Sequence, residues 1–178
     1  MILLGMERKI LFLDFDGVIN SDATFFEAFK YAPHSDASHT GKVLSSGNVA
    51  MIQHIMEETD CDVVFTTNWR LQLSEDELYQ ALVEVGMQLP RERFIGKTSR
   101  LSFSTSRHGA EILNYINDYD IKTFVILDDE DQEISTYFIQ YDSFLKNIED
   151  ATWIRTETSS GLLTHQMYAA ISILGKTT

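Results

Sequence analysis

The chain has 178 residues, 44% of them hydrophobic, a length and composition that suggest one compact domain with a full core. Its formal net charge of −13 argues against a broad nucleic-acid-binding surface, because phosphate backbones are held by basic patches. A single cysteine, Cys61, excludes an internal disulfide, and no apolar run is long enough to span a bilayer.

Met1 to Gly5 is apolar but too short for a signal peptide, and Met6 offers a second possible start. These features lead us to expect a soluble chain of a reducing compartment, the cytoplasm, with Cys61 a buried thiol beside the second strand. Lys9 to Phe15 is an apolar run rich in β-branched and aromatic residues and reads as a buried strand. From Ser21 to Ser46 no period is clear, so a loop or small flap is expected at about 21–46. Asn48 caps a predicted helix running to about Thr59, with Val49, Ile52 and Met56 on one face. Asp62 to Thr66 is a second buried strand. Ser74-Glu75-Asp76-Glu77 is a capping box that starts a helix with Leu78, Leu82 and Val85 facing the core and Gly86 at its end.

Arg93 to Lys97 suggests a short strand, and Ser99 to Ser106 a polar loop. A helix from about His108 to Asp118 buries Ile112, Leu113 and Ile116. Thr123 to Leu127 is a third central strand, Gln132 to Ile148 is irregular or weakly helical, and Thr152 to Arg155 suggests an edge strand. Gly161 precedes a last helix with Leu163, Met167, Ile171 and Leu174 on its inner face. Strands alternating with helices, without an internal repeat, predict an α/β fold on a mainly parallel sheet.

Three apolar runs end in polar residues: Asp14-Phe15-Asp16 followed by Gly17, then Thr66-Thr67-Asn68-Trp69-Arg70, then Asp128-Asp129-Glu130-Asp131. In a parallel sheet the carboxyl ends of the strands share one edge, where ligands bind. Two acids held close together need a cation or a proton between them, so Asp14 and Asp16 indicate a metal site, a phosphate-chemistry site, or both. Between the second and third of these tips, Arg107 starts a helix.

This pattern resembles the haloacid dehalogenase (HAD) superfamily of phosphatases. The shared features are an Asp-x-Asp-Gly strand end, a Thr/Ser strand end, a Lys/Arg at a helix start and an acidic pair after a later strand. More narrowly it resembles the bacterial HAD domains associated with RNA-repair proteins. The residues that carry this likeness are Leu13-Asp14-x-Asp16-Gly17-Val18-Ile19-Asn20, Trp69-Arg70, Arg107 before Glu111-Ile112-Leu113, Ile126-Leu127-Asp128-Asp129, and Gly161-Leu162. The resemblance covers nearly the whole chain and implies a three-layer Rossmannoid fold.

It also implies a set of roles. Asp14 would be the nucleophile, attacking phosphorus to give an aspartyl-phosphate. Mg²⁺ would screen that attack, held by Asp14, the backbone carbonyl of Asp16, and Asp129. Asp16 would protonate the leaving oxygen and then activate water, helped by acidic neighbours that favour the protonated form. Thr66, or its neighbour Thr67, would bind a phosphoryl oxygen, with Asn68 and Arg70 nearby on the substrate side. Arg107 would stabilise the developing charge, in competition with Lys97 and Arg100. Asp128 would orient that cation or a metal-bound water. An acid two residues after the nucleophile favours phosphatase or phosphomutase chemistry over that of transport ATPases or dehalogenases.

Each residue also has a plainer use. Trp69 reads first as core packing, and Arg70 as an ion-pair partner. Glu130 and Asp131 read as surface acids. The five histidines show no zinc spacing and read as surface or loop residues. The stretch between Asp16 and Asn48 is too short for a full helical cap, so an open site for a large substrate is expected. The acidity of the chain motivates a phosphoprotein, with phosphotyrosine among the candidates; the aromatics Phe25, Phe26, Phe29 and Tyr31 could line a ring-accepting pocket, but read first as packing of the flap onto the core. A 3′-phosphorylated nucleic-acid end is the alternative that the resemblance brings and the charge disfavours. A non-catalytic metal- or phosphopeptide-binding module is the third reading.

Overall fold

The structure is a computed structural model and describes residues 8–31, 43–101, 107–130, 134–142 and 150–176; the side chains of residues 27–31 and of Arg107 lie outside that description. In chain order its main elements are β1 (Lys9–Leu13), α1 (Asp22–Tyr31), α2 (Ser46–Thr59), β2 (Asp62–Phe65), α3 (Glu75–Glu84) and β3 (Phe94–Lys97). Then come α4 (Arg107–Asp118), β4 (Thr123–Asp128), β5 (Trp153–Arg155) and α5 (Thr164–Leu174), while Asn68–Leu71 and Arg91–Arg93 form short 3₁₀ turns. Among the described residues, no helix is long and apolar enough to cross a membrane.

The five strands form one sheet in the order β3-β2-β1-β4-β5, and every pairing is parallel. Strands buried on both faces read as unbroken apolar runs, which is why β1, β2 and β4 stand out in the sequence. Their alternation sorts the core into two sides. Leu11, Leu13, Val63, Phe65, Val125 and Leu127 pack against apolar residues of α2, α3 and α5. Ile10, Phe12, Val64, Ile126 and Trp153 face the other way, toward Ile112 of α4 and Ile134. The result is the expected three-layer α/β arrangement on a parallel sheet. Each fully buried side chain of β1 contributes roughly 1.5–3 kcal/mol relative to exposure.

The register positions the site. Leu13 pairs with Phe65 on one side and with Leu127 on the other. The residues that follow, Asp14, Thr66 and Asp128, therefore stand side by side at one edge of the sheet, Asp128 as the last residue of β4. The backbone continues the ladder for one more step, since the Asp14 N–H donates to the Leu127 carbonyl at 3.1 Å and the Thr66 N–H to the Leu13 carbonyl at 2.9 Å.

Several local expectations need correction. The 21–46 stretch is not all loop, because it holds α1. The Ser21 hydroxyl accepts the Thr24 N–H at 3.3 Å, which starts the helix. Of the remainder, residues 32–42 lie outside the described residues. Helix α2 is capped by Ser45 rather than Asn48: Ser45 Oγ accepts the Asn48 N–H at 3.2 Å. The Asn48 amide is turned inward and donates to the Val18 carbonyl at 2.7 Å. Leu163 stands before the first turn of α5 and is 38% exposed, so it is not part of that helix's inner face. The capping box of α3 is present as expected, with Ser74 and Glu77 each accepting the other's backbone N–H. Cys61 is fully buried, and burial pushes its thiol up to about 11.

Candidate functional site

At the tip of β1, the Asp14 carboxylate is buried and accepts the Phe15 N–H at 2.7 Å. The chain then turns sharply through Gly17, whose φ of +67° suits a residue without Cβ. A side chain there would also run into the carboxylate of Asp129. Asn20 braces the turn from both ends, accepting the Gly17 N–H at 3.1 Å and donating to Asp16 Oδ1 at 2.7 Å. The second oxygen of Asp16 accepts the indole N–H of Trp69 at 3.1 Å. Trp69 also packs edge-on against Phe15, with ring centroids 5.2 Å apart.

The loop after β2 supplies the facing wall. Thr66 is buried, and its hydroxyl has no hydrogen-bond partner among the described residues. An unpaired buried hydroxyl costs about 1–3 kcal/mol, so one at a strand tip beside two acids suits a ligand oxygen. Thr67 is used differently: its hydroxyl accepts the Trp69 N–H at 3.3 Å and caps the 3₁₀ turn.

At the tip of β4, Asp128 Oδ1 accepts the Glu130 N–H at 2.9 Å. Its Oδ2 lies 3.2 Å from Nδ1 of His108, and Nε2 of the same ring lies 3.2 Å from Oδ1 of Asn68. Donation from Nδ1 to the Asp128 carboxylate favours the charged ring. Burial opposes that charge, but the hydrogen bond to Asp128 and the nearby negative charges of Asp128 and Asp14 outweigh it, raising the imidazole to about 9. Burial, then the charge of Asp128, pushes Asp14 well above the usual carboxylate range, with His108 pulling it back. Asp129 is raised too, chiefly by burial, while the hydrogen bond from Thr158 at 2.5 Å opposes the shift.

Asp14, His108 and Asp128 each place a ligand atom within 4.8 Å of the others, so together they could hold a metal ion. The donor set fits a divalent cation, since Asp14 and Asp128 are two buried carboxylates that repel one another. A hard ion such as Mg²⁺ takes oxygen, which suits Asp14 and Asp128 as donors and leaves His108 as the group that orients Asp128. Asp129 lies beside this group, against Gly17 and Thr158.

The structure thus brings Asp14, Asp16, Thr66, Asp128 and Asp129 to one edge, with Asn68 reaching it through His108. Arg70 is turned inward. Its guanidinium donates to the carbonyls of Thr66, Thr67 and Thr98 and pairs with Glu111, and both side chains of that pair are buried. Glu111 in turn accepts the Leu101 N–H at 2.9 Å. Arg70 therefore braces the loop that carries Thr66. Lys97 is committed to the carbonyls of Arg70 and Leu73, each at 3.0 Å, and Arg100 is exposed. Arg107 opens α4, but its side chain lies outside the described residues, as does Asp131.

Sequence reasoning placed the histidines on the surface and so missed His108, which is 4% exposed. The signal was present in the spacing: His108, Glu111, Ile112 and Tyr115 form an i, i+3, i+4, i+7 stripe on α4, the pattern of an inward face. The contact from Trp69 to Asp16 had no such signal.

Among known proteins, no curated protein and no solved structure matches the chain. One family model, described as the HAD domain in Swiss Army Knife RNA repair proteins, matches residues 10–167. That span runs from β1 into α5 and includes every strand tip described above. The chain belongs to this family of HAD domains.

Proposed function

We propose that the chain is a Mg²⁺-dependent phosphomonoester hydrolase that works through an aspartyl-phosphate on Asp14. The observation that carries this reading is the buried Asp14–His108–Asp128 group beside the unpartnered hydroxyl of Thr66, at the carboxyl edge of a parallel sheet. When bound, Mg²⁺ supplies the charge screening that lets a carboxylate approach a phosphate dianion. Asp14, Asp128, Asp129 and the carbonyl of Asp16 are the groups that would hold it.

In the first step a carboxylate oxygen of Asp14 bonds to phosphorus. The bond to the leaving oxygen breaks with its electron pair, and Asp16 gives its proton to that oxygen. In the second step Asp16 takes a proton from water as the water oxygen bonds to phosphorus. The bond between phosphorus and Asp14 breaks, its electron pair returns to Asp14, and inorganic phosphate leaves. Thr66 donates to a phosphoryl oxygen. His108 would hold Asp128 in place, and Arg107, which opens α4, is the cation expected to face the developing charge.

Family membership in RNA-repair proteins supports a phosphorylated RNA end as the substrate. This reading displaces the phosphoprotein that the net charge of −13 favours. An acidic surface suits recognition of a terminus, where a few contacts at the sheet edge suffice, better than recognition of a long backbone. The test is a side-by-side assay of 3′- and 5′-phosphorylated oligoribonucleotides, a phosphotyrosine peptide and a generic aryl phosphate, with Mg²⁺ and with EDTA. Turnover of the oligonucleotide at least tenfold above the peptide is expected. A preference for the peptide would reverse the substrate assignment. Activity that survives EDTA would remove the metal from the reading.

A further inference from the structure

The carboxyl group of Asp16 is gripped at both oxygens by side chains from two separate segments: Asn20 Nδ2 at 2.7 Å on Oδ1 and Trp69 Nε1 at 3.1 Å on Oδ2. Asn20 belongs to the turn after β1. Trp69 is 53 residues from Asp16 in sequence, in the 3₁₀ turn after β2. The indole is itself held, since its ring lies edge-on to Phe15 and its backbone N–H is capped by Thr67. A carboxyl group on a surface turn rotates freely about its last bond. One bonded at both oxygens has a set plane, and each oxygen keeps a second lone-pair direction for substrate or water.

We infer that Trp69 is a positioning residue for the proton carrier of this site: its indole N–H sets the plane in which Asp16 meets the leaving oxygen. The inference rests on the phosphatase reading above and adds to it a group that touches neither phosphate nor metal. Proton delivery matters most when the leaving oxygen is basic. A good leaving group departs as its anion and needs no proton, whereas an alkoxide, such as a ribose oxygen, needs one as the bond to phosphorus breaks. A misoriented Asp16 therefore penalises alkyl esters selectively, and a general loosening of the fold penalises all substrates alike.

The variant to make is Trp69→Phe, which keeps an aromatic ring beside Phe15 and removes the N–H donor together with part of the ring, a loss of packing that would weigh on all substrates alike. Its rates should be compared with those of the unaltered protein on a series running from a dinitrophenyl phosphate to a simple alkyl phosphate. The expected result is a loss of about tenfold or more on the alkyl ester, within the range general acid catalysis covers, and about twofold or less on the dinitrophenyl ester. Equal loss along the series, or none, overturns the inference.

A second measurement needs no turnover. The chain has two tryptophans, so an ¹⁵N-correlated NMR spectrum holds two indole N–H signals, and Trp69→Phe identifies which is which. Asp16→Ala should move the Trp69 signal and leave that of Trp153, whose indole donates to the Asp128 carbonyl, in place. An unmoved Trp69 signal overturns the contact. An inactive protein in which the signal moves as expected refutes the phosphatase reading and leaves the contact standing, so the two failures are distinguishable.

Discussion

His108 and Asp128 are joined by a hydrogen bond of 3.2 Å from the ring Nδ1 to a carboxylate oxygen, and both residues are buried. The bond carries a residue of α4 to the tip of β4, and the other ring nitrogen continues to Asn68 in the loop after β2. An imidazole whose proton affinity is raised thus stands beside Asp14, where the sequence led us to look for an arginine or a lysine.

Removing that ring tests its role. His108→Ala is expected to lower phosphatase turnover by roughly tenfold to a hundredfold, the usual cost of losing a partner that orients a metal ligand. His108→Lys, which restores a donor, should recover part of the loss. If His108→Ala retains full turnover, the ring does not orient Asp128 for the reaction.

Stability should depend on pH, with a definite sign, in protein freed of metal. The folded imidazole titrates at about 9 against an ordinary value of 6.5, so its contribution is fully present below about 6.5 and is lost as pH rises through about 9. Asp14 is also raised in the folded state, which acts in the same direction. The melting temperature in EDTA is expected to fall between pH 6.5 and 9 by on the order of 5 °C, and saturating Mg²⁺ should flatten the slope. A metal-free melting temperature that rises over that interval would contradict the protonated ring.

Asp14→Asn separates chemistry from folding. Turnover should fall about a thousandfold or more, as for other nucleophile deletions. The metal-free variant should melt at or above the unaltered protein, because an amide in that buried site carries no charge to desolvate. The Mg²⁺-induced rise in melting temperature should shrink. Retained turnover would rule out Asp14 as the nucleophile.

Arg70 is expected to act on stability rather than on substrate. Arg70→Ala leaves the buried carboxylate of Glu111 without its partner, a change that costs about 3–5 kcal/mol in comparable pairs. Adding Glu111→Gln should recover a measurable part of the loss by thermal or denaturant melting. A raised KM with an unchanged melting temperature would instead make Arg70 a substrate contact.

The strand tips were legible because a parallel sheet buried on both faces makes each strand an apolar run, and the first polar residue after the run marks its end. Asp14, Thr66 and Asp128 were found that way. The capping box at Ser74 was legible because its hydrogen bonds are local. His108 was hidden because its environment comes from Asp128 and Asn68, 20 and 40 residues away, and only the packing of α4 against the sheet joins them. Arg70 was ambiguous for a similar reason: whether a guanidinium faces ligand or backbone depends on Glu111, which lies on another element. Helix α1 escaped notice although Phe25, Phe26 and Phe29 share a face, because the polar residues that follow it up to Ser46 mask so short a period.

The turn at Gly17 links two motifs that are far apart in the chain. The space its missing Cβ leaves is filled by the Asp129 carboxylate, so positions 17 and 129 share one volume. In any relative of this chain, a larger residue at the first position requires a smaller or displaced one at the second. Substitutions at these two sites are therefore coupled, and an engineered change at one must be designed together with the other.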